Sequence, residues 1–122
     1  KMRYEADIDL SAGTGRCNCS ICSKKRYWGA QIKPDAFRLQ CDEADLSDYQ
    51  FGTMSGHHRF CKNCGVSAFG HGYIEAIGGD YVSINVACLD NIEQSELAEL
   101  PIQYFDGRNN AWWNTPEVTK HL

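Results

Sequence analysis

Five of the seven cysteines in this 122-residue chain stand in two tight clusters. Cys17, Cys19 and Cys22 form a C-x-C-x-x-C run, and Cys61 and Cys64 form a C-x-x-C pair followed by Gly65. Cysteines that close bridge one another only with strain, because a disulfide needs particular Cα and Cβ separations. Thiolates converging on one soft cation meet no such difficulty, and bunched cysteines therefore read as metal ligands, with zinc as the guest. A structural zinc takes four tetrahedral ligands, whereas a catalytic one takes three from the protein and keeps one exchangeable position. Two arrangements stay open on spacing alone: one site that shares the five sulfurs and leaves a spare, or two sites, with the Cys61–Cys64 pair completed from elsewhere. The triple cysteine serves equally well as a structural knuckle or as a reactive centre.

The residues around the clusters have simpler readings beside functional ones. Lys24-Lys25-Arg26 closely follows the triple cysteine, and a solvated basic run is the default reading. Cys41 and Cys88 fall on apolar faces and read as small core residues. His57, His58 and His71 flank the second cluster and read as hydrogen-bonded structural groups, with His58 or His71 able to face a metal cavity. Trp112 and Trp113 read as core or rim packing. A redox role for Cys61 and Cys64 is disfavoured, since no βαβ pattern surrounds them.

The elements that must position these residues are mostly strands. Met2, Tyr4, Ala6, Ile8 and Leu10 alternate with polar neighbours, the pattern of a half-buried strand over 1–10. Further strands are expected around Trp28–Ile32, Phe37–Cys41, Tyr49–Phe51, His58–Phe60, Val66–Phe69 and Gln103–Phe105. Tyr81–Leu89 gives the strongest strand signal. The glycines from Gly70 to Gly79 read as loop, 42–47 as an ambiguous acidic stretch with room for one helical turn, and 91–100 as a short helix capped by Asn91. Length suits one domain over 1–122. With 43% apolar and 23% charged residues, disorder and fibrous repeats are excluded. A net charge of −4 disfavours nucleic acid as a partner, and no apolar run approaches the roughly 20 residues of a membrane span. The odd, bunched cysteine set and the acidic start of the chain point to a cytoplasmic protein with reduced thiols.

Taken in order, Cys17-Asn-Cys19-Ser-Ile-Cys22, Lys33-Pro-Asp-Ala-Phe37, Tyr49, Phe60-Cys61-Lys-Asn-Cys64-Gly65, Val86-Ala-Cys-Leu-Asp90, Asp106-Gly107-Arg108 and Trp112-Trp113 resemble the glutathione-dependent formaldehyde-activating enzyme family, over nearly the whole chain. The resemblance implies a mainly β, small single domain of several short coiled antiparallel sheets organised around zinc sites. It also implies a carbon–sulfur lyase that forms or breaks an S-hydroxymethyl thiol adduct, with glutathione or a related small thiol as partner. Cys17, Cys19 and Cys22 would hold a catalytic zinc with an open position, and Lys24 and Lys25 are the candidates to meet glutathione's carboxylates. Cys61 and Cys64 would share a structural zinc with an N-terminal C-x-C-G. That motif is missing here, where the chain starts about where it would end, so an N-terminal segment preceding Lys1 is expected to carry it. A monomer or homodimer is expected. The reading from another class is a non-catalytic, zinc-stabilised thiol carrier or binding module.

Overall fold

The computed structural model describes residues 2–122. The strands in chain order are β1 (Tyr4–Ala6), β2 (Thr14–Cys17), β3 (Gly29–Ile32), β4 (Phe37–Leu39) and β5 (Leu46–Tyr49). They continue as β6 (Gly56–Cys61), β7 (Ser67–Ile74), β8 (Gly79–Asn85) and β9 (Ile102–Phe105), with two short helices, α1 (Ser20–Lys25) and α2 (Gln94–Ala98). The protein is mainly β. Two compact units share the chain, one from Lys1–Ile8 with Gln31–Ile84, the other from Asp9–Ala30 with Asn85–Leu122. Among the described residues no helix is long and apolar enough to cross a membrane.

In the first unit β5, β6, β7 and β8 pair in sequence order, all antiparallel. β1 pairs with β4, also antiparallel. Its core gathers Leu46, Cys61, Ala68, Phe69, Val82 and Ile84. Phe69 closes an aromatic cluster with Tyr4 and Phe37, ring centroids 4.8 to 5.6 Å apart. Such offset rings add to what burial of their area contributes.

The expected loop at Gly70 and Gly72 is instead the middle of β7. A Cβ on Gly70 would lie 2.7 Å from the His57 carbonyl oxygen, and one on Gly72 would lie 2.6 Å from that of Ser55. Glycine here marks close strand approach rather than a break. The strong strand signal at 81–89 stops early, because Val86–Cys88 turns into a 3-10 helix once the Asn85 side chain accepts the Ala87 N–H. The N-terminal strand likewise shortens, since Asp9 caps a turn over Leu10–Ala12. The helix expected over 91–100 is confined to α2, with Glu93 at its N-cap.

The second unit holds an arrangement that strand-by-strand reading misses: β2 runs parallel to β9, with Thr14 opposite Ile102 and Cys17 opposite Phe105. The antiparallel expectation fails at this pair, because parallel neighbours need a long crossover and local alternation carries no trace of it. Gly15 sits where a Cβ would meet the Phe105 ring at 2.6 Å, so glycine lets the aromatic ring lie on the strand. Buried Thr14 donates its hydroxyl to the Pro101 carbonyl at 2.6 Å and accepts from the Trp28 indole at 2.7 Å. Val86 is fully buried in this unit, and Ala30 and Leu122 are buried as well.

Candidate metal centre and its supporting turn

β2 ends at Cys17, Asn18 follows, and Cys19 is the N-cap of α1. The six residues 17–22 therefore pass from strand to helix within one tight bend. That bend brings the Sγ atoms of Cys17, Cys19 and Cys22 within 4.8 Å of one another, the only group of three or more His, Cys, Asp or Glu ligand atoms so placed among the described residues. Around one tetrahedral cation with metal–sulfur bonds of about 2.3 Å, sulfurs stand roughly 3.8 Å apart. The cluster matches that scale, and it can hold a metal ion.

Its electrostatics point the same way. Cys17 and Cys22 donate S–H bonds to the Cys19 sulfur, which the first backbone amides of α1 also face, and its thiol is pulled down to about 2. Those same contacts push Cys17 and Cys22 up. Protons are thus shared among three adjacent sulfurs. A divalent cation is what lets all three ionise together.

The basic run divides in two. Lys24 is exposed, whereas Lys25 is half-buried, its Nζ 5.0 Å from the Tyr27 ring centroid, and its charge is attracted by Cys22 and Cys19. Burial nonetheless holds the Lys25 ammonium below its usual range. Arg26 ends α1 in the left-handed region (φ 54°) and donates from Nη1 to the His121 carbonyl.

A supporting turn stands behind the cysteine loop, and its role is not assignable from spacing. Asn18 is 7% exposed. Its Nδ2 donates to Asp106 Oδ1 at 2.9 Å, and its Oδ1 accepts the Arg108 backbone N–H at 2.8 Å. Asn109 donates to the same carboxylate from its side chain and backbone, and together these bonds hold Asp106 below the usual carboxylate range. Between them, Gly107 fills a tight slot. A Cβ there would lie 2.5 Å from the Trp112 ring and 2.7 Å from Cys17 Sγ. Trp112 packs on this turn at the rim, while Trp113 is 80% exposed, so neither belongs to the core. The usable signals in the sequence were the Asn inside the C-x-C and the Asp-Gly turn; only folding joins them.

Cys61 and Cys64 form the expected knuckle in the first unit. Gly65 takes φ 79° and donates to the Cys61 carbonyl at 2.8 Å. The amides of Cys64 and Asn63 face the buried Cys61 sulfur and lower its thiol's pKa, and the Met2 amide reaches it too. Cys64 is exposed. Among the described residues no third ligand atom completes a group with this pair. His57, His58 and His71 join neither cluster. His57 bonds Asp48 through Nδ1 at 2.7 Å and stacks on His71 with centroids 4.4 Å apart, and His58 stacks on Phe51. None of the seven cysteines is disulfide-bonded; Cys41 and Cys88 are half-buried.

A Rhodobacter sphaeroides protein of known crystal structure shares this fold with a TM-score of 0.68 and 27% identity. The match covers 84% of this chain and 92% of the other. The sequence model described as "Glutathione-dependent formaldehyde-activating enzyme" matches residues 1–106, which include both cysteine clusters and the strands that carry them. The chain belongs to the glutathione-dependent formaldehyde-activating enzyme family.

Proposed function

We propose that this protein is a zinc-dependent carbon–sulfur lyase that adds glutathione, or a related small thiol, to formaldehyde and reverses that addition. The observation that carries the reading is the convergence of three sulfurs from one short loop, Cys17, Cys19 and Cys22, within 4.8 Å. Three ligands of this kind suit a centre that keeps one position for an exchanging group. Bound there, zinc supplies Lewis acidity and lowers the pKa of a thiol at its fourth position. In the forward direction the thiol sulfur forms a bond to the aldehyde carbon, the carbonyl π pair moves to oxygen, and the thiol proton ends on that oxygen. The reverse direction breaks the carbon–sulfur bond.

The chain's own residues have separable roles in this scheme. Cys17, Cys19 and Cys22 hold the metal. Lys25 places a positive charge beside the sulfurs, where it favours an incoming thiolate. Lys24, exposed on the same helix, is the weaker candidate for a carboxylate anchor. Asn18 and Gly107 keep the loop against the Asp106–Arg108 turn. For Cys61 and Cys64 we infer a structural zinc; the amides of Cys64, Asn63 and Met2 face the Cys61 sulfur as they would a metal-bound thiolate. Reduced cysteines of this kind suit a cytoplasmic protein.

The test is metal analysis of the protein, followed by NMR exchange spectroscopy with glutathione and labelled formaldehyde. Zinc at the triple cysteine and accelerated exchange into the S-hydroxymethyl adduct, both lost in Cys19→Ser, support the reading. Saturable thiol binding with no acceleration of exchange would make the protein a thiol carrier instead.

A further inference from the structure

The helix that carries Cys22 is too short to hold itself. α1 spans six residues, under two turns, and an isolated helix of that length is unstable in water. Its placement nevertheless decides much of the candidate metal centre. It carries the Cys22 sulfur, and its first amides, those of Ile21 and Cys22, face the Cys19 sulfur. A small rotation of α1 would move one ligand and loosen the support of a second. The Cys17 end of the loop is held by the Asp106–Arg108 turn through Asn18. The far end needs a restraint of its own.

Arg26 supplies it, in a backbone conformation that arginine disfavours. It is the C-cap of α1, with φ 54° and ψ 45° in the left-handed region and its N–H on the Cys22 carbonyl. The Tyr27 N–H shares that carbonyl at 3.1 Å. Glycine is the usual residue at such a position, because a Cβ there crowds the following carbonyl. Four non-glycine residues have positive φ among the described residues, and two of them are asparagines, which tolerate it. An arginine kept there points to a use for its side chain. Arg26 Nη1 donates to the His121 carbonyl at 3.0 Å, across 95 positions of chain, and the Arg26 carbonyl accepts from Arg16 Nη1 at 3.4 Å. Among the described residues no carboxylate pairs with Arg26, so its bond is to the backbone of the C-terminal segment. That segment is fastened at both ends. The Asp106 N–H donates to the Asn114 carbonyl at 3.0 Å, and the Leu122 side chain is buried one residue beyond the carbonyl that Arg26 holds.

We propose that Arg26 is a positioning residue for the metal centre, and that residues 114–122 act through it as a strap on α1. The inference rests on the metal reading of the three sulfurs and is independent of which thiol or aldehyde the centre meets. Arg26 thereby leaves the solvated basic run to Lys24 and becomes a tether. Because the tether is one exposed bond, its loss is graded. The three sulfurs stay in the same loop, while Cys22 and the amides on Cys19 lose their fixed placement.

The experiment is a double-mutant cycle in the full chain, titrated with cobalt(II) and read as a difference against Cys19→Ser to isolate the triple-cysteine bands. Arg26→Gly removes the tether and relieves the left-handed backbone; Leu122→Ala unseats the strap and leaves Arg26 in place. Each should weaken cobalt affinity at the triple cysteine about fivefold, the effect of one exposed charge-assisted bond, and shift the ligand-field bands. The double variant should be no weaker than either single one, because both act on one tether. Arg26→Lys keeps a cationic donor and should recover part of the affinity. A residue that only caps the helix gives the opposite pattern. Glycine suits positive φ, so Arg26→Gly would then match or exceed the parent's melting temperature with bands and affinity unchanged, and that result overturns the proposal. Fully additive losses overturn the strap as the route to α1. A parent with no cobalt–thiolate band removes the metal centre and this inference with it. The expected losses in a protein that exchanges no glutathione would support the strap while refuting the lyase reading.

Discussion

Gly107→Ala is the sharpest perturbation available to the metal loop, because one methyl group meets two obstacles of different stiffness. The new Cβ would stand 2.5 Å from the Trp112 ring and 2.7 Å from Cys17 Sγ. Carbon and sulfur settle no closer than about 3.5 Å, so the sulfur contact demands a shift of roughly 0.8 Å. The half-exposed Trp112 side chain can swing away. Cys17 ends β2 and has less freedom, while metal–ligand distances tolerate only about 0.2 Å. Overpacking of this kind costs about 1–3 kcal/mol, and displacing a ligand's support typically weakens metal binding about 10- to 100-fold. Cobalt substitution reads the effect directly, as a loss of thiolate charge-transfer absorbance at the triple cysteine, and zinc competition against a chromophoric chelator gives the affinity. The double variant Gly107→Ala with Trp112→Ala removes only the soft obstacle and should recover stability without recovering metal affinity. Full recovery of zinc binding in the double variant would refute the argument that the sulfur is the constrained partner.

Three further outcomes are expected. Burial, with help from His57 and Arg59, holds His71 below its ordinary 6.5; the unfolded chain therefore protonates first as pH falls, so stability is full above about 6.5, declines from there towards the folded value, and then levels. Urea midpoints measured from pH 8 to pH 5 should show this decline flattened in His71→Gln, and an identical slope in both proteins would remove His71 as its source. Ile84→Ala empties a fully buried site of the first unit and should cost about 2–5 kcal/mol at constant m-value in urea. Lys25→Met should slow adduct formation about tenfold, the effect of one charge-assisted contact, at unchanged zinc content, whereas Lys24→Ala should leave the rate within about twofold; equal effects would show that the two lysines act as one basic surface.

What could be read in the sequence was what short segments decide by themselves. Six residues suffice to gather Cys17, Cys19 and Cys22, and five suffice for the Cys61–Gly65 knuckle, so both were legible from spacing. Gly70 and Gly72 were misread because glycine's local preference for loops hides its other use, admitting a neighbouring backbone that only the folded sheet brings near. The end of β8 depended on one side chain, Asn85, competing for the Ala87 amide against a strong run of β-formers. Asp106, Gly107 and Arg108 could be matched to a family ending without any role, since their partners Asn18 and Cys17 lie far away along the chain. Lys24 and Lys25 were alike in sequence; α1 separates them by turning one outward and one toward Tyr27.

The parallel pairing of β2 with β9 also orders events in time. Asn18 and Asp106, which join across that seam, are 88 residues apart in the chain. At synthesis rates of about 5–20 residues per second, the triple cysteine leaves the ribosome roughly 4–18 s before its backing strand is made. During that interval the three thiols are exposed on an incomplete sheet, open to oxidants and to whatever metal is at hand. Closing so long a loop also adds non-local contacts of the kind that slow folding. Cells expressing the protein under oxidative stress should therefore accumulate product oxidised at Cys17, Cys19 and Cys22 before the backing strand is in place.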